Sequence, residues 1–228
     1  MEKVRLIPFE YNTGENNMSI DEAILNKAIE TNSKQPVFRL YGWRPACISL
    51  GRNQKKDFLD EDFLKNKNID VVSRLTGGRA LLHDSEITYS FVCPQSYLVN
   101  GESVIASYKE ISAILIQAFE KLGVKLTLGG DSVHTKFDYC MLVSTGADLN
   151  FNGKKFIGSA QCRKKGYILQ HGSIPYSLDK GLLESIFNEQ VEAACVTSVK
   201  EIFPNLTIEQ FCKEFQSAIE EVFSAQVG

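Results

Sequence analysis

The sequence predicts an α+β fold: one domain over residues 1–228, with a mixed or antiparallel sheet and packed helices, the last of them over about 180–228. Three observations carry this. Strand candidates are many, helices are few, and the two do not alternate in the regular rhythm of a parallel sheet. One segment, Ser103 to Leu122, repeats apolar residues at four, three, four, three and four positions, which is one face of a helix. Composition is that of a globular chain with ample core material, 43% hydrophobic and 23% charged.

Taken in order, Val4 to Phe9 reads as a strand. Ser19-Ile20-Asp21-Glu22 offers a capping box that starts a helix running to about Glu30 and burying Ala23, Ile24 and Ala28. Val37 to Tyr41 and Ala46 to Leu50 are strand candidates. Between them Gly42-Trp43-Arg44-Pro45 predicts a hairpin turn, because proline pre-sets φ. Asp57 to Lys65 is a short polar helix with Phe58 and Phe63 to bury. Strands follow at Ile69 to Val72 and Glu86 to Val92, the latter stopped by Pro94. Gly123 caps the long helix, and Val124 to Leu128 resumes as a strand. A polar loop from Gly129 to Asp138 leads into Tyr139-Cys140-Met141-Leu142. Phe156 to Cys162 and Tyr167 to Ile174 are strands joined at Arg163-Lys164-Lys165-Gly166. Lys180 to Phe187 and Thr207 to Phe223 are helices, the second capped by Thr207 and burying Phe211, Phe215, Ile219 and Val222.

Several function classes are excluded. A net charge of −3 lacks the basic excess that nucleic-acid binding needs. No apolar run is long enough to span a membrane, and none follows Met1-Glu2-Lys3 as a secretory signal. The six cysteines (Cys47, Cys93, Cys140, Cys162, Cys195 and Cys212) are scattered without a CxxC pair, so a disulfide framework is not expected and the setting is cytoplasmic. No His/Cys cluster has metal-ligand spacing, so no metal is expected.

Chemistry concentrates in two stretches. Arg74-Leu75-Thr76-Gly77-Gly78-Arg79-Ala80-Leu81-Leu82-His83-Asp84 joins two strands. Its paired glycines permit positive φ and close approach of a ligand to the main chain. Lys155-Phe156-Ile157-Gly158-Ser159-Ala160-Gln161 reads as a strand whose alternation puts Lys155, Ile157 and Ser159 on one face. Lys155 then points across the sheet toward the glycine turn; the plain alternative is a solvated Lys-Lys pair at a hairpin end. Of three histidines, His83 ends the turn and His171 stands mid-strand beside Gly172, while His134 lies in the polar loop. Neither stretch is a P-loop or a dinucleotide fingerprint. The residues by themselves predict a cationic, glycine-lined pocket.

These motifs together resemble a known family. Met18-Ser19-Ile20-Asp21-Glu22-Ala23, Arg39-Leu40-Tyr41-Gly42-Trp43, Ser49-Leu50-Gly51, the turn from Arg74 to Ala80, His83-Asp84 and Gly158-Ser159-Ala160-Gln161 resemble the lipoate/octanoate transferase and ligase superfamily, which includes the biotin protein ligases. The likeness runs over roughly residues 4–188. It implies a biotin/lipoate protein ligase-like fold. It also implies one of two chemistries: ATP-dependent ligation of free lipoate, or transfer of octanoate through a cysteine. Three features resemble the cysteine-lysine octanoyltransferases. Counted inclusively, Cys140 to Gly158 spans the nineteen positions of that branch. The turn reads Gly77-Gly78-Arg79, where ligases carry a third glycine. The run from Arg163 to Ile174 matches as well, and the sequence reaches Gly228 without the accessory domain many ligases carry.

The resemblance implies Cys140 as nucleophile and Lys155 as the cation that lowers its thiol pKa. Arg74, Thr76, Gly77, Gly78, Arg79, His83, Gly158, Ser159, Ala160, His171 and Gly172 would bind substrate. The partners implied are octanoyl-acyl carrier protein and a lipoyl domain or glycine-cleavage H-type carrier protein, met by a monomer without a cofactor. The sequence departs from the pattern at Ser73, at Met141 and at Ala147-Asp148, where relatives often carry Tyr-Glu. A ligase, an amidotransferase moving octanoate between carrier proteins, and a silent acyl-binding module remain as alternatives.

Overall fold

The computed structural model describes residues 2–129, 148–187 and 195–225. Its main sheet has seven strands in the order β1 (Arg5–Asn12), β2 (Val37–Trp43), β6 (Glu86–Pro94), β10 (Tyr167–Pro175), β9 (Lys154–Lys164), β8 (Leu149–Phe151) and β7 (Thr127–Leu128). All pairs are antiparallel except β1 with β2. A second sheet sets β3 (Cys47–Leu50) between β4 (Asp70–Ser73), parallel, and β5 (Leu81–His83), antiparallel. The fold class is therefore the mixed α+β arrangement expected.

The two central strands, β6 and β10, are buried at every position. On β6, Ile87, Tyr89, Phe91 and Cys93 join the core made with α3 (Val104–Lys121) and α6 (Ile208–Ala225). The intervening Glu86, Thr88 and Ser90 are buried too. Period-2 alternation thus gives this strand an apolar face and a buried polar face. Behind it, α1 (Gly14–Glu30) covers Val92, Tyr167 and Leu169.

The helix ends show why these segments stop and start. Thr207 Oγ1 accepts from Gln210 N (3.2 Å) and Gln210 Oε1 from Thr207 N (2.9 Å), a capping box ahead of α6. Phe211, Phe215, Ile219 and Val222 are buried as expected. In α3, Ile111, Leu115 and Ala118 face the core, but Val104 is 51% exposed, so the predicted stripe loses its first turn. Gly123 adopts φ +78 where the helix ends. Helix α4 (Lys180–Phe187) begins at the predicted residue.

Three expectations are corrected. The first helix starts at Gly14 rather than Ser19: the Thr13 side chain accepts from Asn16 N, and Ser19 lies one and a half turns inside. Its buried stripe is Asn17, Asp21, Leu25 and Ala28, spaced four, four and three, whereas Ala23 is exposed. The segments around Pro45 do not form a hairpin, because β2 belongs to the main sheet and β3 to the small one. On β9 the ladder slips, pairing Lys155 with Asn150 but Ile157 with Leu149. One extra residue there breaks the alternation. Ile157 joins Phe156 in the core instead of sharing Lys155's face. The strand expected at Tyr139 to Leu142 and the loop carrying His134 lie outside the described residues.

Candidate active site

Where the two sheets meet α1 and α3, a cavity of about 370 Å³ opens. That falls at the compact end of small-ligand sites, roughly 300–1,000 Å³. Ten residues marked from the sequence line it: Arg74, Gly77, Gly78, His83, Lys155, Gly158, Ser159, Ala160, His171 and Gly172. Thr76 and Arg79 are not among the lining residues, and Cys140 lies outside the described residues. Met18, Tyr41, Trp43, Leu81 and Tyr108 add apolar and aromatic surface.

Close backbone packing builds the glycine turn. A Cβ at Gly51 would fall 1.9 Å from the Gly78 carbonyl oxygen, and Gly78 holds φ +97. Only glycine at position 51 lets β3 run against the turn. Arg74 is buried beneath it and donates from Nη2 to the carbonyls of Gly77 (2.9 Å) and Arg79 (2.7 Å), so these turn oxygens face inward. Nη1 donates to the Ser49 carbonyl (2.8 Å) and Ser49 Oγ (3.0 Å), and Nε to Thr76 Oγ1 (3.1 Å). The turn reads as a rigid wall organised around one guanidinium.

Carboxylates stand behind the wall. His83 Nδ1 lies 2.8 Å from Glu86 Oε1, and the ring stacks on Trp43 with centroids 3.9 Å apart. Thr88 and Ser173 also donate to Glu86. Burial pushes the Glu86 carboxyl up, but His83, with the hydrogen bonds from His83, Ser173 and Thr88, outweighs it and holds the pKa below the ordinary value. His171 Nδ1 is 3.5 Å from Asp21 Oδ2, and burial lowers the imidazole pKa. Asp21 also accepts from Arg39 Nη1 (3.0 Å) and from the Tyr41 hydroxyl (2.9 Å), deep in the protein.

On the opposite wall Lys155 Nζ lies 3.0 Å from Asp148 Oδ2, both side chains buried. The Thr197 amide donates to the Lys155 carbonyl (2.9 Å), so the segment ahead of α5 (Val199–Ile202) fixes the backbone at this lysine. Lys155 is therefore no solvated hairpin lysine. The expectation of a cationic pocket is tempered: Lys155, Arg39 and Arg74 share the interior with Asp148, Asp21 and Glu86.

With this geometry in view, comparison with known proteins is decisive. The lipoyl protein ligase A/B catalytic domain model matches residues 13–220. The octanoyltransferase LipM of Exiguobacterium sp. is 36% identical, over 91% of this chain and 82% of that protein. The chain belongs to this family, on its octanoyltransferase branch. LipM of Macrococcus caseolyticus is 41% identical over 75% of the chain, which spans 65% of that relative's length. Among solved structures, a lipoate-protein ligase A bound with ATP superposes with a TM-score of 0.74 at 21% identity, covering 100% of this chain and 86% of the other. A bipartite lipoate protein ligase from Thermoplasma acidophilum, studied with its E2 lipoyl domain, gives 0.68 at 20% identity, covering 100% and 84%. At such identities these two show the fold.

Within this octanoyltransferase-branch site, sequence reasoning missed Asn17, Asp21, Arg39, Ser49 and Glu86 as partners behind one wall, and Asp148 as the partner of Lys155 on the other. One signal was available for two of them. Asn17 and Asp21 share a helix stripe with Leu25 and Ala28, and a polar pair on a stripe otherwise made for burial demands partners. Nothing in the spacing indicated that Asp148 would meet Lys155.

Proposed function

We propose that this chain, as one acyltransferase domain, moves an octanoyl group from the thioester of an acyl carrier protein, through Cys140, to the lysine of a lipoyl domain or a glycine-cleavage H-type carrier protein. The observation that carries the reading is Lys155, a buried ammonium held by Asp148 on the wall of an acyl-sized cavity that also contains the Gly77-Gly78 turn. The pair with Asp148 offsets the cost of burying this charge, and its place on the cavity wall puts it within the site where a reacting group would bind.

The chemistry balances without a nucleotide. The Cys140 thiol gives up its proton and attacks the donor carbonyl as the thiolate, the carrier leaves with that proton as its thiol, and an enzyme thioester forms. The acceptor amine then attacks that thioester, an amide forms, and the proton released returns Cys140 to the thiol. Lys155 favours the thiolate electrostatically in both steps. The hydrocarbon chain lies against Met18, Trp43 and Leu81. Burying its six methylenes contributes roughly 5 kcal/mol at about 0.8 kcal/mol each.

The family model's span over residues 13–220 supports one domain, and we take the enzyme to act as a monomer. Cys47, Cys93, Cys162 and Cys212 are free thiols, which suits a reducing cytoplasm. No helix among the described residues is long and apolar enough to cross a membrane. Intact-mass measurement tests the proposal. Protein mixed with octanoyl-carrier protein should gain one octanoyl group that hydroxylamine removes, and Cys140→Ala should gain none. Lys155→Met should slow transfer by at least about 100-fold. Wild-type transfer rates in Cys140→Ala, or acylation that requires ATP and free acid, would overturn it.

A further inference from the structure

Arg74 has five N–H donors and no acceptor. Among the described residues five protein oxygens receive them, and two of these are the hydroxyls of Ser49 and Thr76. Since a guanidinium only donates, each hydroxyl spends a lone pair on Arg74 and still has its own proton to place. Ser49 Oγ lies 2.7 Å from His83 Nε2, and Thr76 Oγ1 lies 2.7 Å from His171 Nε2. We infer that Arg74 sets the direction of both relays, driving a hydroxyl proton toward Nε2 of each histidine and holding both imidazoles as Nδ1–H tautomers. It is thereby a positioning residue for acyl transfer.

The far ends of the relays agree with this assignment. Glu86 Oε1 stands 2.8 Å from His83 Nδ1 and Asp21 Oδ2 stands 3.5 Å from His171 Nδ1. A bare lone pair at either Nδ1 would face a carboxylate, whereas a proton there is attracted to it. Among the described residues, the charged or titratable groups that face His171 are Asp21 from α1, Arg74 from the turn and His83 from β5. Burial, which acts most strongly, and the Arg74 charge lower its pKa against the pull of Asp21.

A functional consequence follows, resting on the transfer reaction proposed above. With each Nε2 receiving a hydroxyl proton, His83 and His171 present no open base to the cavity. The proton shed by the attacking amine then goes to the departing thiolate and not to His83 or His171.

Imidazole ¹⁵N correlation spectra of the whole protein test the tautomers directly. His171 should show a protonated Nδ1 and a bare Nε2 from about pH 6 to 8, with no titration. Thr76→Val deletes the hydrogen bond that favours the neutral ring, so the His171 pKa should rise and the ring should titrate in this range. Octanoyl transfer by Thr76→Val should then acquire an acid limb. Its kcat should fall several-fold at pH 6 relative to pH 8, with KM for the octanoyl donor unchanged, and Thr76→Ser should restore the wild-type profile. Ser49→Ala probes the His83 relay independently. A wild-type His171 protonated at Nε2, or a Thr76→Val protein with wild-type tautomer and pH profile, overturns the inference. Loss of octanoyl transfer in the wild type would refute the proposed function instead, while the spectra still decide the tautomers.

Discussion

Replacing Asp21 with alanine isolates the charge that supports the floor of the site. Asp21 is 1% exposed and Arg39 is 0% exposed. Arginine cannot shed its proton in a protein, so removing the carboxylate leaves a fixed cation in the interior. Asn17 retains part of the compensation, through its Oδ1 (2.7 Å) and its carbonyl (3.3 Å), both accepting from Arg39. The Tyr41 hydroxyl loses its acceptor as well. Breaking a buried pair from one side costs about 3–5 kcal/mol, and the remaining Asn17 contacts place this case near the middle, about 4 kcal/mol. That is a large share of a total stability of roughly 5–15 kcal/mol. Urea unfolding followed by circular dichroism would measure it as a fall in midpoint at constant slope. Arg39→Met should cost a comparable amount. The double variant should lose less than the two added together, by about 1–3 kcal/mol of coupling. A loss below about 1 kcal/mol for Asp21→Ala, or strict additivity, would refute the account of Arg39 as a charge that depends on Asp21.

Gly51→Ala should disrupt the glycine turn, because its methyl would fall 1.9 Å from the Gly78 carbonyl oxygen and backbone must move; octanoyl transfer should fall at least tenfold while circular dichroism keeps the native spectrum, and wild-type kinetics would count against the turn's role. Acid sensitivity follows from Glu86, whose folded pKa is depressed. Its contribution to stability is complete above the unfolded value of about 4.3 and is lost as pH falls through the lower folded value. Glu86→Gln should therefore flatten the acid end of the stability profile, read as unfolding midpoint between about pH 5 and 2.5; an unchanged slope would exclude Glu86 as its source.

Local chemistry was legible wherever one segment decides its own structure. The α6 face and its Thr207 cap, the Gly123 turn and the start of α4 all follow from periodicity and capping, which need no distant partner. The errors share a different cause. Asn16 and Asn17 look like loop residues, yet Asn17 is buried against Arg39 and the Gly42 carbonyl, and so extends α1 forward to Thr13. Pro45 does mark a turn, but the strand after it pairs with β4 and β5, residues far along the chain. The slip at Lys155 depends on β8, which periodicity in β9 alone cannot reveal. Site residues carried by glycine and histidine motifs were found. Of those that serve them from behind, Asp21 and Ser49 stood in recognisable motifs without their roles being apparent, and Glu86 on an ordinary-looking strand became visible only in three dimensions.

The matching of buried charges bears on which acyl donor the cavity suits. Arg39 meets Asp21, Lys155 meets Asp148, and Arg74 connects through Ser49 and His83 to Glu86. A free fatty acid would bring a carboxylate into this interior, and an ion taken from water costs several kcal/mol unless a cation turns toward it. At Lys155 such a carboxylate would compete with Asp148, already 3.0 Å away. A thioester carries no charge, so it gains the burial of its hydrocarbon without that cost. Octanoyl-carrier protein should accordingly outcompete free octanoate for the cavity. Asp148→Asn should narrow the gap by freeing Lys155 to meet a carboxylate.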